Sequence, residues 1–516
     1  MLSHAAAQVM TLAQDGDVEG ALGLAHATLR DAGSASAAER AALWYALAVA
    51  HHADGDYEAQ ALAADRCLDI ARGADDHGWQ SNALSIRAMA HLRADRVEPA
   101  LLDLARAEAA LLGIEDDALA CWAHTGLGYG YLELRLYELA RPHFEAAVDL
   151  DASPIPLNEA RAIDLLNLAE LHVRWADELE RALPHDSAED EADELRAAGH
   201  DIASAALAEA QRVGAAGLAA VAGALALCSR PRAQAEASVA DLRAAYESPD
   251  HNDHQGGRAV VGSSLARALW RTGRHDEALD VARQAAELSA AAGDWHVAAT
   301  VRWLLVEMEH QAGLPGAASG HAYARLLSRV LWQQRLSTLQ GARAALAVEG
   351  LRRDTAVAER RALEDPLTGV GNRRALDAAL GRSRHEDGPW SLLVVDLDEF
   401  KTVNDRYGHL LGDEVLRGVA DAIRRVARAD DIVVRLGGDE FVVLARGTDE
   451  AGGSALAGRL REAIAAVTVS TPHGCVRLTA TVGVGTTDDR TTATDLLEVA
   501  DLDMYRGKGR RTAQGA

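Results

Sequence analysis

Acidic residues in the last third of the chain sit where side chains from different strands can meet. Asp396 ends the apolar run 391–396, and Asp439 and Glu440 lie in a turn between two further apolar runs. If those strands are neighbours, the carboxylates converge, and like charges so close raise one another's pKa unless a cation compensates them. Mg²⁺ binds one or two carboxylates and leaves its other positions to water and phosphates. This chemistry suits phosphoryl or nucleotidyl transfer. A set of solvated turn acids is the alternative.

The elements that would position these acids alternate between strand and helix. Strands are predicted at 391–396, 430–435, 441–444 and 475–485, and helices at 450–467 and 494–506. Gly437 and Gly438 predict a tight hairpin turn, because such turns need positive φ. Alternation of this kind over about 150 residues predicts one α/β domain with a central sheet.

The motifs in this region resemble one enzyme family. The stretch 437–441 reads Gly-Gly-Asp-Glu-Phe, which is similar to the signature of the GGDEF family of diguanylate cyclases. The stretch 365–374 resembles that family's entry motif. Further motif residues follow in the family's order at 396–401, 404–405, 408–409 and 412–413. The resemblance implies a sheet like the palm of nucleotidyl cyclases and the condensation of two GTP into cyclic di-GMP with release of two pyrophosphates.

The resemblance also implies a metal site. Asp396, the backbone carbonyl of Leu397 and Asp439 would hold Mg²⁺, with Mn²⁺ as an alternative ion, and Glu440 would lie close to the metal. Asp439 is in addition the candidate proton acceptor from the attacking 3′-hydroxyl. Lys401 would neutralise phosphate charge in the transition state, as a flexible point cation can.

The remaining substrate contacts are implied in the same way. They are Asn404 and Asp413 for guanine, His409 near the nucleotide, the backbone amides of Phe400 and Lys401 for the terminal phosphates, and Lys508 as a phosphate contact. A carboxylate accepts from both N1–H and the exocyclic amine of guanine, whereas adenine has no N1 donor, so Asp413 favours GTP. The chain departs from the family after Lys508, since Gly-Arg-Arg follows at 509–511 without the usual two intervening residues.

A second motif precedes the Gly-Gly turn. Arg428-Ala-Asp-Asp431 resembles the family's RxxD site, at which the product inhibits the enzyme. An arginine fork suits both phosphate and guanine edges. An ordinary surface ion pair between Arg428 and Asp431 is the alternative.

The first part of the chain contains a repeated pattern. Val18, Tyr57, Val97 and Tyr137 each follow a polar turn and precede small and apolar residues at helical spacing, and they are 39, 40 and 40 positions apart. Polar turns between amphipathic helices at a constant period are typical of an α-solenoid. The pattern resembles a tetratricopeptide-type array, although its period exceeds the usual 34 residues. We therefore predict an all-α solenoid over 1–321.

One long helix is predicted between the two halves, over 322–363. Apolar a/d positions fall at Trp332, Leu336, Leu339 and Leu346, with Arg343 interrupting the series and Gly350 and Arg353 ending it. A short coiled coil and the last helix of the solenoid with a linker remain equal alternatives. The predicted fold is thus a solenoid over 1–321, a linker helix over 322–363 and an α/β domain over 364–516.

Composition excludes several classes of protein. A net charge of −26 argues against a nucleic-acid partner. The longest apolar run, 214–228, is shorter than the roughly 20 residues of a bilayer span, so a buried helix and no membrane association are expected. Four scattered cysteines, at 67, 121, 228 and 475, fit buried thiols in a reducing cytoplasm better than disulfides. The start of the chain has no basic segment typical of a signal peptide.

Three functions are compatible with these features. The first is an active diguanylate cyclase that works as a homodimer, because each domain is expected to hold one GTP, and that the repeats regulate by binding an unknown protein or peptide. The second is a catalytically silent receptor for cyclic di-GMP or GTP. The third is a repeat scaffold whose main function is partner binding.

Overall fold

The structure is a computed structural model, and it describes residues 2–14, 16–30, 35–150, 159–183, 185–230, 235–248, 255–290, 295–381, 389–471, 474–487 and 495–514. The chain divides into two compact units, Met1–Leu351 and Arg352–Ala516. None of the described helices combines the length and apolar character that a bilayer span requires.

The first unit is all helical. Its helices are α1 (Leu2–Gln14), α2 (Val18–Arg30), α3 (Ala37–Asp54), α4 (Tyr57–Gly73), α5 (His77–Arg93), α6 (Val97–Leu111), α7 (Asp117–Glu133), α8 (Tyr137–Leu150), α9 (Ala160–Ala182), α10 (His185–Val213), α11 (Ala216–Cys228), α12 (Ala235–Glu247), α13 (Gln255–Arg271), α14 (His275–Ser289), α15 (Trp295–Gln311) and α16 (Ala317–Leu363). Consecutive helices pack as pairs, as the repeat pattern predicts.

The four repeat positions are the first residues of α2, α4, α6 and α8, so the predicted period is confirmed as one helix pair per repeat. Two positions before each of these helices the backbone is left-handed, at Gly16, Gly55, Asp95 and Arg135. Glycine adopts this conformation without steric cost, whereas a side chain makes it uncommon. Arg135, with φ of 60°, is therefore an exceptional choice for its turn.

The acidic stretch that follows residue 184 begins α10, in which Ala192 and Leu195 are buried. One expectation for this part of the solenoid needs correction. The apolar run 214–228 does form a helix, α11, but only Ala222 and Ala226 of that helix are buried. Alanine is small enough that a helix rich in it needs little burial.

Helix α16 packs along the solenoid over its first two thirds. Its buried residues are Arg335, Leu339 and Ala342, and the last two belong to the core formed by α1–α9. This favours the last-helix alternative over a free coiled coil for that segment. Helix α16 continues to Leu363, the end predicted for this long helix, so Gly350 and Arg353 end the a/d series without ending the helix. One glycine costs a helix only about 1 kcal/mol, which a helix of this length tolerates.

The second unit contains a four-stranded antiparallel sheet. Its elements are α17 (Arg373–Leu380), β1 (Trp390–Leu397), α18 (Phe400–Tyr407), α19 (His409–Val426), β2 (Ile432–Gly437), β3 (Glu440–Arg446), α20 (Glu450–Ala465), β4 (Val469–Thr471), β5 (Gly474–Val476), β6 (Ala480–Thr486) and α21 (Asp495–Gln514). The strand order is β2-β3-β1-β6, and β4 and β5 form a separate small ladder. The single strand predicted over 475–485 is thus two strands, β5 and β6.

The central strand β1 is buried on both faces. Leu393 and Val395 point into a core with α19 and α20, while Leu392 and Val394 pack against α17 and α21. Helices on both faces explain why the strand reads as a continuous apolar run instead of alternating. The sheet and its two helical layers fix the end of β1, where Asp396 lies.

Candidate active site

The acidic residues lie together at one edge of the sheet. In the β1–β3 ladder Asp396 is the direct partner of Glu440, and the backbone N–H of Leu397 donates to the carbonyl oxygen of Asp439 at 3.3 Å. Asp396 and Asp439 are half-buried and Glu440 is exposed. The strands are therefore neighbours, and the convergence expected from the sequence follows from their register.

The turn between β2 and β3 depends on its glycines. Gly437 pairs with Glu440, which leaves Gly438 and Asp439 as a two-residue turn, and Gly438 is left-handed with φ of 54°. Gly437 has φ of 153°, a value that residues with side chains rarely adopt. This geometry holds Asp439 at the tip of the hairpin beside the end of β1.

The second carboxylate of the β1 end, Asp398, has a different role. Both of its oxygens accept hydrogen bonds, from the hydroxyls of Thr479 at 2.6 Å and Thr481 at 2.7 Å. Its backbone N–H donates to the Thr479 carbonyl at 2.9 Å. Asp398 therefore ties the end of β1 to the start of β6, and Asp396 is the acid of this pair that lies opposite the hairpin.

A sharp turn leads from β1 into α18. Glu399, the residue before this helix, is left-handed with φ of 57°, an uncommon conformation for a residue with a side chain. Strained backbone of this kind concentrates at functional sites. The turn brings Phe400 and Lys401 to the first turn of α18, where backbone N–H groups have no helical partner and can bind anions. Phe400 is buried and the Lys401 side chain is exposed.

Close packing of α18 on α19 places Asn404, one of the two predicted guanine-binding residues, against Gly412, which precedes the other in the sequence. A Cβ atom at Gly412 would overlap the side-chain oxygen of Asn404, so this oxygen lies directly against the α19 backbone. The next residue, Asp413, is half-buried on the same helix turn. His409 is the exposed first residue of α19, after left-handed Gly408.

Arg435 is a residue of this site that the sequence analysis missed. Its guanidinium donates to the Gly438 carbonyl at 2.8 and 3.0 Å and contacts the Asp365 carboxylate at 3.2 Å. Burial alone would raise the pKa of Asp365, but hydrogen bonds from Thr368 and from Arg435 outweigh it and lower that pKa below its ordinary value. Arg435 thus anchors the hairpin to the entry motif. Asp365 was visible in the sequence as part of the entry motif, but its partner 70 positions away was not.

The Arg428–Asp431 motif forms a turn. The Asp431 carboxylate accepts from the backbone N–H of Arg428 at 2.7 Å, and the Asp431 N–H donates to the Arg428 carbonyl at 3.0 Å. Asp431 therefore bonds to the Arg428 backbone, and the Arg428 side chain is exposed. The Lys508 side chain, and those of the Gly-Arg-Arg stretch that follows it, lie outside the described part of the chain.

The donors at the sheet edge suit a hard cation. In the described residues no group of three or more His, Cys, Asp or Glu side chains is arranged to hold a metal ion. Asp396 and Asp439 with the neighbouring backbone offer only oxygen ligands, and Mg²⁺ typically takes one or two carboxylates with substrate phosphates and water. The residues present therefore fit a hard divalent cation.

Comparison with known proteins agrees with the sequence motifs. The family described as "Diguanylate cyclase, GGDEF domain" matches residues 362–514. Diguanylate cyclase DgcP of Pseudomonas aeruginosa is 41% identical over 152 residues, covering 29% of this chain and 23% of that protein. Diguanylate cyclase DgcS of Shewanella oneidensis is 38% identical over 154 residues, covering 28% of this chain and 50% of that protein.

Solved structures include similar domains. The coiled coil and GGDEF domain of DgcB from Caulobacter crescentus in complex with c-di-GMP is 28% identical, covers 33% of this chain and 92% of that chain, and has a TM-score of 0.30. The chain spans half or less of the length of DgcP and DgcS. The family match coincides with the unit that contains the acidic sheet edge. Residues 362–514 therefore form a GGDEF domain.

Proposed function

We propose that this chain is a diguanylate cyclase that condenses two GTP into cyclic di-GMP and two pyrophosphates. The observation that carries the proposal is the register that pairs Asp396 with Glu440 and bonds Leu397 to Asp439 inside a GGDEF domain. The similarity of this domain to proteins named as diguanylate cyclases supports the same reaction.

The reaction requires a base, charge neutralisation and two aligned nucleotides. Asp396, the Leu397 carbonyl and Asp439 would hold Mg²⁺ or Mn²⁺, which supplies positive charge to the phosphates when bound. Asp439 accepts the proton of the attacking 3′-hydroxyl, and Glu440 adds negative charge next to it. Lys401 compensates charge on the phosphates as pyrophosphate leaves. The free N–H groups of Phe400 and Lys401 bind the terminal phosphates.

The guanine base is recognised where α18 packs on α19. Asn404 and Asp413 bind the guanine edge, His409 lies near the nucleotide, and Lys508 contacts a phosphate. Close packing of Asn404 on Gly412 supports this assignment, because it limits the positions that the Asn404 amide can take. Half-buried polar groups such as these discriminate against a base that would leave them unpaired.

Each domain offers one such site, so the condensation needs two domains that face each other as a homodimer. The solenoid is suited to control that encounter, since it holds the first two thirds of α16 through Arg335, Leu339 and Ala342 and the same helix ends at the GGDEF domain. A protein or peptide partner at the repeats would shift the population of productive dimers. Cyclic di-GMP would inhibit at Arg428 and Asp431. The enzyme would act in the cytoplasm, where GTP is available.

The test is turnover by the purified full chain with GTP and Mg²⁺, with products separated by chromatography. The chain should form cyclic di-GMP, and Asp439→Asn should abolish this while circular dichroism remains unchanged. Asp421→Asn, which alters an exposed acid on α19 away from the site, is the matched control and should retain activity. Near wild-type turnover by Asp439→Asn would contradict the assignment.

A receptor or scaffold is the competing function. A chain that binds cyclic di-GMP through Arg428 but forms none from GTP, at any GTP concentration and as a dimer, would be a receptor. Retention of candidate metal ligands at the sheet edge favours the enzyme, because a receptor has no need of them. Arg428→Ala should relieve inhibition at high product concentration in the enzyme.

A further inference from the structure

The solenoid contains a cavity with a cationic wall. Its volume is about 210 Å³, and its lining comes from α9, α15, α16 and the turn before α8. Three arginines, Arg135, Arg181 and Arg302, face a single acidic residue, Glu178. Trp295, Trp303 and aliphatic side chains of α16 supply the rest of the surface.

Arg181 is the most buried cation of this wall. Only 8% of the residue is exposed, and its guanidinium donates to the hydroxyl of Thr300 at 2.6 Å. In the part of the chain that the structure describes, it forms no ion pair with a carboxylate. A buried charge without a counter-charge is costly, and an anion in the cavity would compensate it.

Arg135 provides an independent observation. It occupies the left-handed position that two earlier repeats fill with glycine, with φ of 60°. Its guanidinium pairs with Glu178, while its buried Nε has no hydrogen-bond partner among the described residues. Backbone strain that persists at a residue with a large side chain points to a function for that side chain.

The positive charge of the cavity arginines also acts on the buried side chain of His296. Burial, reinforced by the charges of Arg181, Arg174 and Arg135, holds its pKa well below the ordinary value. A neutral imidazole here agrees with a local potential that is positive and would favour an anion.

The apolar walls and the volume of the cavity limit the size and chemistry of the ligand that it can hold. Trp295 of α15 and Leu327 and Leu331 of α16 line the cavity and are 53%, 44% and 38% exposed, so it is open to solvent at these residues. At about 210 Å³ the cavity is smaller than the pockets of about 300–1,000 Å³ that hold drug-sized ligands. Arg135 lies 5.9 Å from the ring centre of Trp295 and Arg325 lies 5.9 Å from that of Trp303, so a flat aromatic ring would pack on the indole surface that these arginines leave uncovered. A carboxylate suits the arginine fork. A hydrated phosphate dianion does not suit the apolar walls.

We infer that this cavity binds a small aromatic carboxylate, with the carboxylate at Arg181 and Arg302 and the ring between the two tryptophans and α16. The ligand would contact α16 directly and so fasten it to α9 and α15. This inference concerns binding alone and does not depend on cyclase activity.

The experiment uses the full chain and 4-fluorobenzoate, observed by ¹⁹F NMR, with neutral 4-fluorobenzamide as the matched probe. The benzoate signal should broaden saturably and the amide signal should not. Arg302→Gln should weaken benzoate binding at least five-fold. Arg329→Gln removes an exposed α16 arginine outside the lining and should leave binding unchanged. Unlabelled benzoate should displace the probe, and inorganic phosphate at equal concentration should not.

Hydrogen exchange supplies a second measurement. Benzoate should slow exchange of α16 amides at 324–331 in the wild-type chain and in Arg329→Gln, and have at most a weak effect in Arg302→Gln. The inference is overturned if the amide probe broadens equally, if Arg302→Gln binds as the wild type does, or if phosphate displaces the probe.

Discussion

Arg335 is the residue that we expect to hold α16 on the solenoid. Its side chain is completely buried, its Nε donates to the Arg135 carbonyl at 2.6 Å, and it pairs with Glu138. The guanidinium lies 4.4 Å from the ring centre of Trp332 and 5.2 Å from that of Tyr137. Replacing it with methionine keeps an apolar stem of similar length and removes the charge and its bonds.

The free-energy cost of Arg335→Met follows from these contacts. Loss of a charged hydrogen bond costs about 1.5–3 kcal/mol, and loss of the cation–π contacts costs about 1–2 kcal/mol. The pair with Glu138 adds about 1 kcal/mol, because Glu138 is 29% exposed and can be resolvated. Removal of the buried Nη1, which has no hydrogen-bond partner among the described residues, stabilises the attached state by about 1 kcal/mol or more. We therefore expect Arg335→Met to weaken attachment of α16 by about 3 kcal/mol, which is roughly a 100-fold change in the opening equilibrium.

Hydrogen exchange with mass spectrometry measures this directly. Amides of α16 at 335–346 should exchange roughly 100-fold faster in Arg335→Met. Glu138→Gln should accelerate them by a comparable or larger factor, because it leaves the fully buried Arg335 charge without its counter-charge. Arg343→Met alters an exposed arginine on the same helix and serves as the control. Equal protection in Arg335→Met and Arg343→Met would show that Arg335 does not hold α16, and would remove the structural basis for regulation through this helix.

Three further changes test the packing around the site and in the solenoid. Gly412→Ala should retain or raise the stability of the domain, because alanine favours helix. The same change should raise the KM for GTP about 5- to 100-fold, because the added Cβ displaces Asn404. The control is Gly458→Ala on α20, whose Cβ meets no neighbour and which should leave the KM unchanged. Gly483→Ala should unfold the GGDEF domain several degrees earlier in a thermal melt, because its Cβ would collide with the α21 backbone. Burial, with a neighbouring histidine, lowers the pKa of His124 to about 4. The unfolded chain therefore binds a proton at this histidine below about pH 6.5, whereas the folded chain binds it only near pH 4, so the folded state loses stability as the pH falls through this range. Urea unfolding should show about 1–2 kcal/mol lost between pH 7 and pH 4, discounted for partial exposure, and His124→Gln should remove that loss; an unchanged pH dependence would contradict it.

Local chemistry explains why much of the fold is predictable. Val18 and Tyr57 begin helices two positions after a left-handed glycine, and the preference of glycine for that backbone acts within a few residues and can be read from the sequence. The hairpin at Gly438 is readable for the same reason. The opposition of Asp396 to the hairpin was predicted only on the condition that the two strands are neighbours, and the structure meets that condition by pairing β1 with β3.

Contacts between distant segments explain what was not predictable. Nothing near Asp398 shows that Thr479 and Thr481 take up its oxygens, or that Arg435 bonds to Asp365. The same holds for the α16 helix, whose a/d pattern fits a coiled coil equally well until the burial of Leu339 in the solenoid core is known. Of the cysteines expected to be buried, Cys475 is exposed.

The sequence by itself determined the helix pairs, the α/β domain and the family to which its motifs belong, because turn preferences, apolar periodicity and short motifs act within a few residues. Tertiary structure alone decided which carboxylate faces the hairpin, which face of α16 is covered and where three arginines share one cavity. Those outcomes depend on side chains that are dozens to hundreds of positions apart in the chain, and their proximity arises only when the packed core fixes the helices and strands in space.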